Sequence, residues 1–376
     1  MKLVYLDNAA TTQVCPEAAE KALEMMTVHF GNPSSLHSLG TRAEQMVNTA
    51  RKQVADLMGC HPDQLIFTSG GTEANNLAIF GAAQSKKRAG RHIITSAVEH
   101  SSVVASFKEL ERQGYEITRL VPEGGVITPA QVAEACREDT VLVSIMYVNN
   151  ENGSHFPIDK IIPAVRRAAP QALIHCDAIQ AAGKLPLRAD RLDIDFMSTS
   201  AHKIHGPKGC GALYIKKGVR ILPRTFGGEH ERGMRAGTEA VPLIVAFGAA
   251  AQAMPPLDAQ QRLYNSLRER LGAGLADMDD VVWLSPDNAV SYIVNISVPG
   301  IKSETMLHFL AQRGVYISSG SACSKGKRSP VLTALGLPER VIDSALRISF
   351  SHTNTLDDVD SFLGALKEAS ASLVRR

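Results

Sequence analysis

The 376-residue sequence has no Cys-x-x-Cys pair, no long run of like charge, no internal repeat and no low-complexity tract. Its six cysteines stand apart at 15, 60, 136, 176, 210 and 323. That scatter fits neither a disulfide framework nor a zinc site, so no metal is expected, and it suits a reducing, cytoplasmic setting. The 40 basic and 38 acidic residues leave a formal charge of +2, which points away from direct nucleic-acid binding and from a polybasic membrane surface. The short cluster Lys86-Lys87-Arg88 ends a predicted helix, where positive charge complements the dipole. Leu3 to Leu6 is too short an apolar run for a signal peptide. Ala240 to Leu257 carries no charge, but its small residues and Pro242, Pro255 and Pro256 predict a buried helix between domains rather than a membrane span. There is no Gly-x-Gly-x-x-Gly and no Gly-x-x-x-x-Gly-Lys-Ser/Thr, so the dinucleotide and nucleoside-triphosphate readings gain no support.

What is present is ordinary globular composition, 44% hydrophobic and 21% charged, at a length suited to two domains. Helical patterns are predicted at about 16–28, 41–58, 72–87, 101–113 and 158–168. Short apolar strands alternate with them at 65–68, 93–95, 141–145, 173–175, 196–198 and 211–215. This alternation predicts an α/β fold around a mainly parallel sheet covered on both faces. After Ala240 the pattern becomes α+β: one long helix through Leu271, a strand at 292–298, and helices at 303–313 and from 356 onward. A second, smaller domain is expected there.

Polar clusters follow the strands, where parallel sheets hold their ligands. In Thr68-Ser-Gly-Gly-Thr-Glu73, Gly70 and Gly71 let backbone amides approach a ligand, the helix start favours a phosphate, and Thr72 adds a hydroxyl. The same residues also read as a helix cap with turn glycines. His100, Asn150 and His175-Cys-Asp-Ala-Ile-Gln180 follow three further strands. Asp177, behind an apolar strand, needs a partner, and a pyridinium nitrogen, an arginine or a helix N-terminus would each serve. Lys203, in Ser200-Ala-His-Lys203 ahead of Gly206-Pro207, is a candidate Schiff-base former or else a solvent-exposed loop lysine. A lysine, an acid and a glycine-rich helix start are together the parts that pyridoxal phosphate requires.

The ordered motifs resemble the cysteine desulfurases of the NifS/IscS branch, within the aminotransferase-like pyridoxal-phosphate enzymes. The resemblance runs through Tyr5-Leu-Asp-Asn-Ala-Ala-Thr-Thr12, Phe30-Gly-Asn-Pro-Ser34, Thr68 to Glu73, Glu99-His100, Val148-Asn-Asn-Glu151, Asp177-Ala-Ile-Gln180 and Ser200-Ala-His-Lys203. It continues through Gly227 to Thr238 and ends at Ser319-Gly-Ser-Ala-Cys323. It implies fold type I: a large domain over 14–245 with a mainly parallel seven-stranded sheet, and a small α+β domain from 1–13 and 246–376. The small domain would carry a catalytic-cysteine loop at about 318–331. It implies pyridoxal phosphate as cofactor, with Lys203 as its covalent anchor and Asp177 as partner of the ring nitrogen. His100 would stack on the ring and serve as an acid–base group. Asn150 and Gln180 would contact the phenolic oxygen; Gly71, Thr72, Ser200 and His202 belong to the phosphate site. Thr238 would reach the phosphate from a partner subunit, which implies a homodimer. Arg347 resembles the arginine that grips the carboxylate of L-cysteine, a role suited to its planar two-point donor geometry. Histidines 205 and 230 lie in matched motifs with no separate role.

Cys323 separates this family from other enzymes of the fold. It sits among small residues and is followed by Lys325, Lys327 and Arg328, whose charge favours a thiolate. The expected reaction takes L-cysteine to L-alanine, moves the sulfur to Cys323 as a persulfide, and hands it to an acceptor protein. Candidate acceptors are an iron–sulfur scaffold or a tRNA-thiolation enzyme. The segment after Cys323 is shorter and more basic than in housekeeping iron–sulfur members, so acceptor choice stays open. An aminotransferase or selenocysteine lyase would keep Lys203 and Asp177 without depending on Cys323. A non-catalytic scaffold would need none of the three.

Overall fold

The computed structural model describes residues 3–319 and 328–375. The chain opens with β1 (Val4–Tyr5), α1 (Pro16–Thr27) and α2 (Ser38–Met58). In α2, Ala43, Val47, Ala50, Val54 and Met58 form one buried stripe at helical spacing. The helix stops at Gly59, whose φ of 64° is left-handed and whose Cβ position would lie 2.5 Å from the Leu187 carbonyl oxygen.

The alternating part follows as β2 (Leu65–Thr68), α3 (Gly71–Ser85), β3 (His92–Ser96), α4 (Ser101–Arg112), β4 (Glu116–Leu120), α5 (Pro129–Ala135) and β5 (Thr140–Ser144). It closes with α6 (Ile158–Ala168), β6 (Leu173–Asp177), β7 (Phe196–Ser200) and β8 (Gly211–Ile215). These strands form the expected seven-stranded sheet, in the order β2-β8-β7-β6-β5-β3-β4. Only β8 runs against the others, pairing antiparallel with both β2 and β7. Strands β3, β5, β6 and β7 are buried along their whole length, as a sheet covered on both faces requires. His175 of β6 pairs across strands, with Ser144 of β5 at 2.8 Å and Ser198 of β7 at 3.0 Å. The predicted strands omit β4, whose Glu-Ile-Thr-Arg-Leu sequence lies at the sheet edge with Glu116 and Arg119 exposed.

The rest of the chain comprises α7 (Val241–Ala253), α8 (Leu257–Leu275), β9 (Val282–Trp283), β10 (Ile293–Ser297) and α9 (Ser303–Ala311). It ends with β11 (Val315–Tyr316), α10 (Pro330–Ala334), α11 (Glu339–Ile342), β12 (Ala345–Ser349) and α12 (Leu356–Ser372). The single long helix expected from 240 to 271 is two helices, α7 and α8, bent by 75°. Pro255 and Pro256 cause the break, since neither donates a backbone N–H and each disfavours helix in the residue before it. Among the described residues no single helix is long and apolar enough to cross a membrane. Helix α7 packs on α1 and α2. Strands β12, β10 and β9 make a second, antiparallel sheet, and β1 pairs with β11. One apolar core runs from Val143, Ile174 and Met197 of the large sheet to Ile293, Val294 and Leu346 of the small one.

Candidate active site

The C-terminal ends of β2, β3, β5, β6 and β7 point the same way, and each is followed by one of the predicted polar clusters. Gly71 opens α3. A Cβ on it would lie 2.2 Å from Ile179 Cδ1 and 3.6 Å from Ser200 Cβ, so the helix start, the end of β7 and the turn after β6 meet there. Thr72 follows on the exposed side. Ser200 ends β7, and His202 and Lys203 form a single 3-10 turn after it. The Lys203 ammonium donates to the carbonyls of Ala9 and Ala10, both at 2.6 Å, so it is held by the N-terminal segment and is no free loop lysine. The same segment is fixed from both sides: Thr12 N–H donates to the His202 carbonyl at 2.9 Å, and Gln180 Nε2 donates to that of Ala9 at 2.9 Å. Gln180 Oε1 is buried and has no hydrogen-bond partner among the described residues.

Asp177 ends β6 and is 4% exposed. Its Oδ1 accepts from Ile179 N–H at 3.0 Å and its Oδ2 from Asn75 Nδ2 at 2.8 Å. Asn75 also donates to Ser102 Oγ at 3.0 Å, and Ser102 Oγ lies 2.8 Å from His100 Nδ1. His100 caps α4, its Nδ1 accepting from Ser102 N–H at 3.2 Å. Burial pushes its pKa below the ordinary value; the Asp177 charge opposes this and the Lys203 charge reinforces it. His202 is pushed down to about 4, first by burial and then by Lys203 and other cations. Beside His100, burial raises the Glu99 carboxyl to about 8; the Ser96 hydroxyl and the Met146 N–H both donate to its Oε1.

Arg347 lies in β12 with 1% exposure. Its guanidinium bonds the Asn150 carbonyl at 2.8 Å and the Asp7 carboxylate at 2.7 Å. Its backbone exchanges two hydrogen bonds with Ser318, at 2.7 and 3.2 Å. The Ser329 hydroxyl donates to the Glu151 carboxylate, next to Asn150. Ser318 and Ser329, each two positions outside residues 320–327, therefore stand beside Arg347 and Glu151. Cys323 itself lies outside the described residues. Burial raises the thiol pKa of all five others, to about 12 for Cys60 and Cys210. Thr238 is exposed in the single chain.

Sequence reasoning missed Asn75, Ser102 and the clasp of Asp7 on Arg347. Asn75 carried one signal: it follows Gly71 by one helical turn, on a face that is otherwise buried and apolar.

A parallel-type sheet with a lysine, a carboxylate and a glycine-opened helix at one end defines an enzyme of the pyridoxal-phosphate fold type I class. The Aminotransferase class-V family model matches residues 4–362. "Cysteine desulfurase IscS" of Methanosarcina thermophila is 42% identical over 372 residues, covering 98% of this chain and 92% of the relative. The solved structure titled "NIFS-LIKE PROTEIN" superposes with a TM-score of 0.93 at 34% identity, covering 99% of this chain and 100% of that one. A structure titled "SspA in complex with cysteine" has a TM-score of 0.81 at 34% identity, over 92% of this chain and 98% of that one. The chain belongs to the class-V aminotransferase family, in its cysteine desulfurase branch of the NifS/IscS type.

Proposed function

We propose that the chain converts L-cysteine to L-alanine, with pyridoxal phosphate as cofactor, and passes the sulfur through Cys323 to an acceptor. The convergence of Lys203, Asp177, His100 and the Gly71 helix start at one sheet end, beside Arg347, carries this reading. The cofactor fits the residues present. Gly71 opens α3 with no side chain of its own, Ile179 Cδ1 standing 2.2 Å from where a Cβ would lie, and a bare helix start of this kind suits a phosphate against backbone amides. The buried Gln180 side chain with an unused oxygen is a polar group waiting for a polar neighbour. Lys203 would anchor the group, Asp177 would face its ring nitrogen, and Gly71, Thr72, Ser200 and His202 would hold its phosphate, with Asn150 and Gln180 at the phenolic oxygen. When bound, pyridoxal phosphate supplies an electron sink for the bonds at the substrate α-carbon.

The chain's own groups do the rest. Arg347 holds the substrate carboxylate, Lys203 moves the proton at the α-carbon, and Asp177 keeps a proton on the ring nitrogen. The Cys323 thiolate takes the sulfur, so cysteine and one enzyme thiol become alanine and one persulfide. The raised thiols of the other five cysteines support Cys323 as the reacting one. Exposed Leu23, Met26, Val28, Phe30, Leu36 and Phe226 support a second copy as partner, which would also bring Thr238 into use. The large unit would span 14–245 and extend to the break at Pro255, since α7 packs on α1 and α2. The setting would be cytoplasmic and the acceptor an iron–sulfur scaffold or a tRNA-thiolation enzyme.

The test compares wild type, Cys323→Ser and Lys203→Ala for alanine, persulfide and cofactor absorbance on addition of L-cysteine. Cys323→Ser should keep the yellow colour and lose persulfide; Lys203→Ala should lose both activity and the native absorbance. Full-rate sulfide release by Cys323→Ser, or keto-acid-dependent amino transfer as the main activity, would overturn the reading.

A further inference from the structure

We propose that Ser102, oriented by Asn75, is a positioning residue that keeps His100 neutral with its proton on Nε2. The direction of each hydrogen follows from the chemistry of the partners. Asp177 Oδ2 accepts, so the group 2.8 Å from it must be the Asn75 amide nitrogen. That nitrogen's second hydrogen points at Ser102 Oγ, 3.0 Å away, which leaves the serine to donate its own hydrogen elsewhere. His100 Nδ1 lies 2.8 Å from the same oxygen and already accepts the Ser102 backbone N–H at 3.2 Å. Two donors thus converge on Nδ1 and oppose a proton there. The proton of neutral His100 sits on Nε2, which takes part in none of these bonds. Asn75 is fully buried and Ser102 is 7% exposed, so water does not compete for the chain of bonds.

The charged and titratable groups facing His100 come from other elements. Asp177, at the end of β6, favours the imidazolium, whereas Lys203 opposes it. His202, in the turn after β7, also feels the His100 charge. Asp177 therefore acts on His100 in two opposed ways: through space it invites a second proton, and through Asn75 and Ser102 it directs a hydrogen against one. The consequence for catalysis rests on the reading of His100 as an acid–base group. With Nε2–H fixed, His100 approaches a bound molecule as a proton donor and cannot begin as a base at that nitrogen.

The experiment uses the full chain labelled with 15N-histidine, with and without added pyridoxal phosphate, and assigns His100 by its loss in His100→Gln. Wild type should show an unprotonated Nδ1 and a protonated Nε2. Ser102→Ala, which keeps the backbone donor and loses the hydroxyl, should raise the His100 titration midpoint by about 0.4–1 pH unit. Ser102→Thr should restore the wild-type midpoint. A structural role alone would lower the melting temperature and leave the titration in place. A wild-type proton on Nδ1, or an unmoved midpoint in folded Ser102→Ala, overturns the proposal. Unchanged kcat/KM in His100→Gln would instead sink the catalytic reading of His100 while the titration result stands.

Discussion

Replacing Gly71 with alanine tests the cradle at the start of α3. The added Cβ would fall 2.2 Å from Ile179 Cδ1 and 3.0 Å from its Cγ1, both on one side chain. Carbon atoms in contact normally stand about 3.5–4.0 Å apart, so Ile179 must turn or move. An off-rotamer side chain costs about 0.5–1.5 kcal/mol and overfilling a packed site about 1–3 kcal/mol. Because the obstacle is a side-chain end and no backbone, we expect about 1–2 kcal/mol. If that strain is relieved by opening the phosphate site, pyridoxal phosphate should bind roughly 5–30-fold more weakly. Ile179→Ala removes the obstacle, and the double variant Gly71→Ala/Ile179→Ala should bind within about twofold of Ile179→Ala alone. Apo protein titrated with the cofactor and followed by visible absorbance measures all four corners of the cycle, with melting temperature alongside. Wild-type affinity in Gly71→Ala, or no recovery in the double variant, would refute the steric argument.

Glu99→Gln should stabilise the protein at pH 8 and change little at pH 5. The folded carboxyl is raised to about 8 from 4.5, so the folded state keeps a proton that the unfolded state releases, and stability falls as pH rises through that window. Thermal melts across that range check the lost slope. Arg347→Lys should raise KM for L-cysteine by about 10–150-fold while leaving the cofactor absorbance intact, because a lysine cannot reproduce a charged two-point contact worth about 1.5–3 kcal/mol. Steady-state kinetics with alanine detection decides this. Arg51→Ala strips a buried Glu231 carboxylate of its two guanidinium bonds, at 2.7 and 2.9 Å, and leaves Phe67 N–H as its remaining donor. Such a loss costs about 3–5 kcal/mol, and denaturant unfolding should record it as a lower midpoint at unchanged m-value.

Much of the site was legible because Lys203, Asp177 and Gly71 each follow a strand that announces itself. Phe196 to Ser198, Leu173 to His175 and Leu65 to Thr68 are apolar runs, and Lys203, Asp177 and Gly71 come within a few residues of them. What stayed hidden depends on partners far away in the chain. Asn75 meets Asp177 across 102 positions and Asp7 meets Arg347 across 340, and neither pairing leaves a local spacing to read. Strand β4 escaped because an edge strand with one wet face looks like a charged loop. The break between α7 and α8 was written in Pro255-Pro256, yet the uncharged run around it suggested continuity.

The carbonyls of Ala9 and Ala10 that hold Lys203 follow a stretch whose strand partners come late in the chain. Val4 N–H bonds Gly314, Leu6 N–H bonds Tyr316, and Asn8 N–H bonds Ser349. During synthesis the seven-stranded sheet can assemble once residue 215 has emerged, with the lysine turn already in place. Residues 4–8, although translated before the sheet, have no docking strand until β11 and β12 leave the ribosome. Full closure around the lysine is thus a late event in the life of each new chain, and a truncated product that lacks β12 would carry every residue of the lysine turn while Asp7, Asn8 and Ala9 lost their partners Arg347 and Ser349.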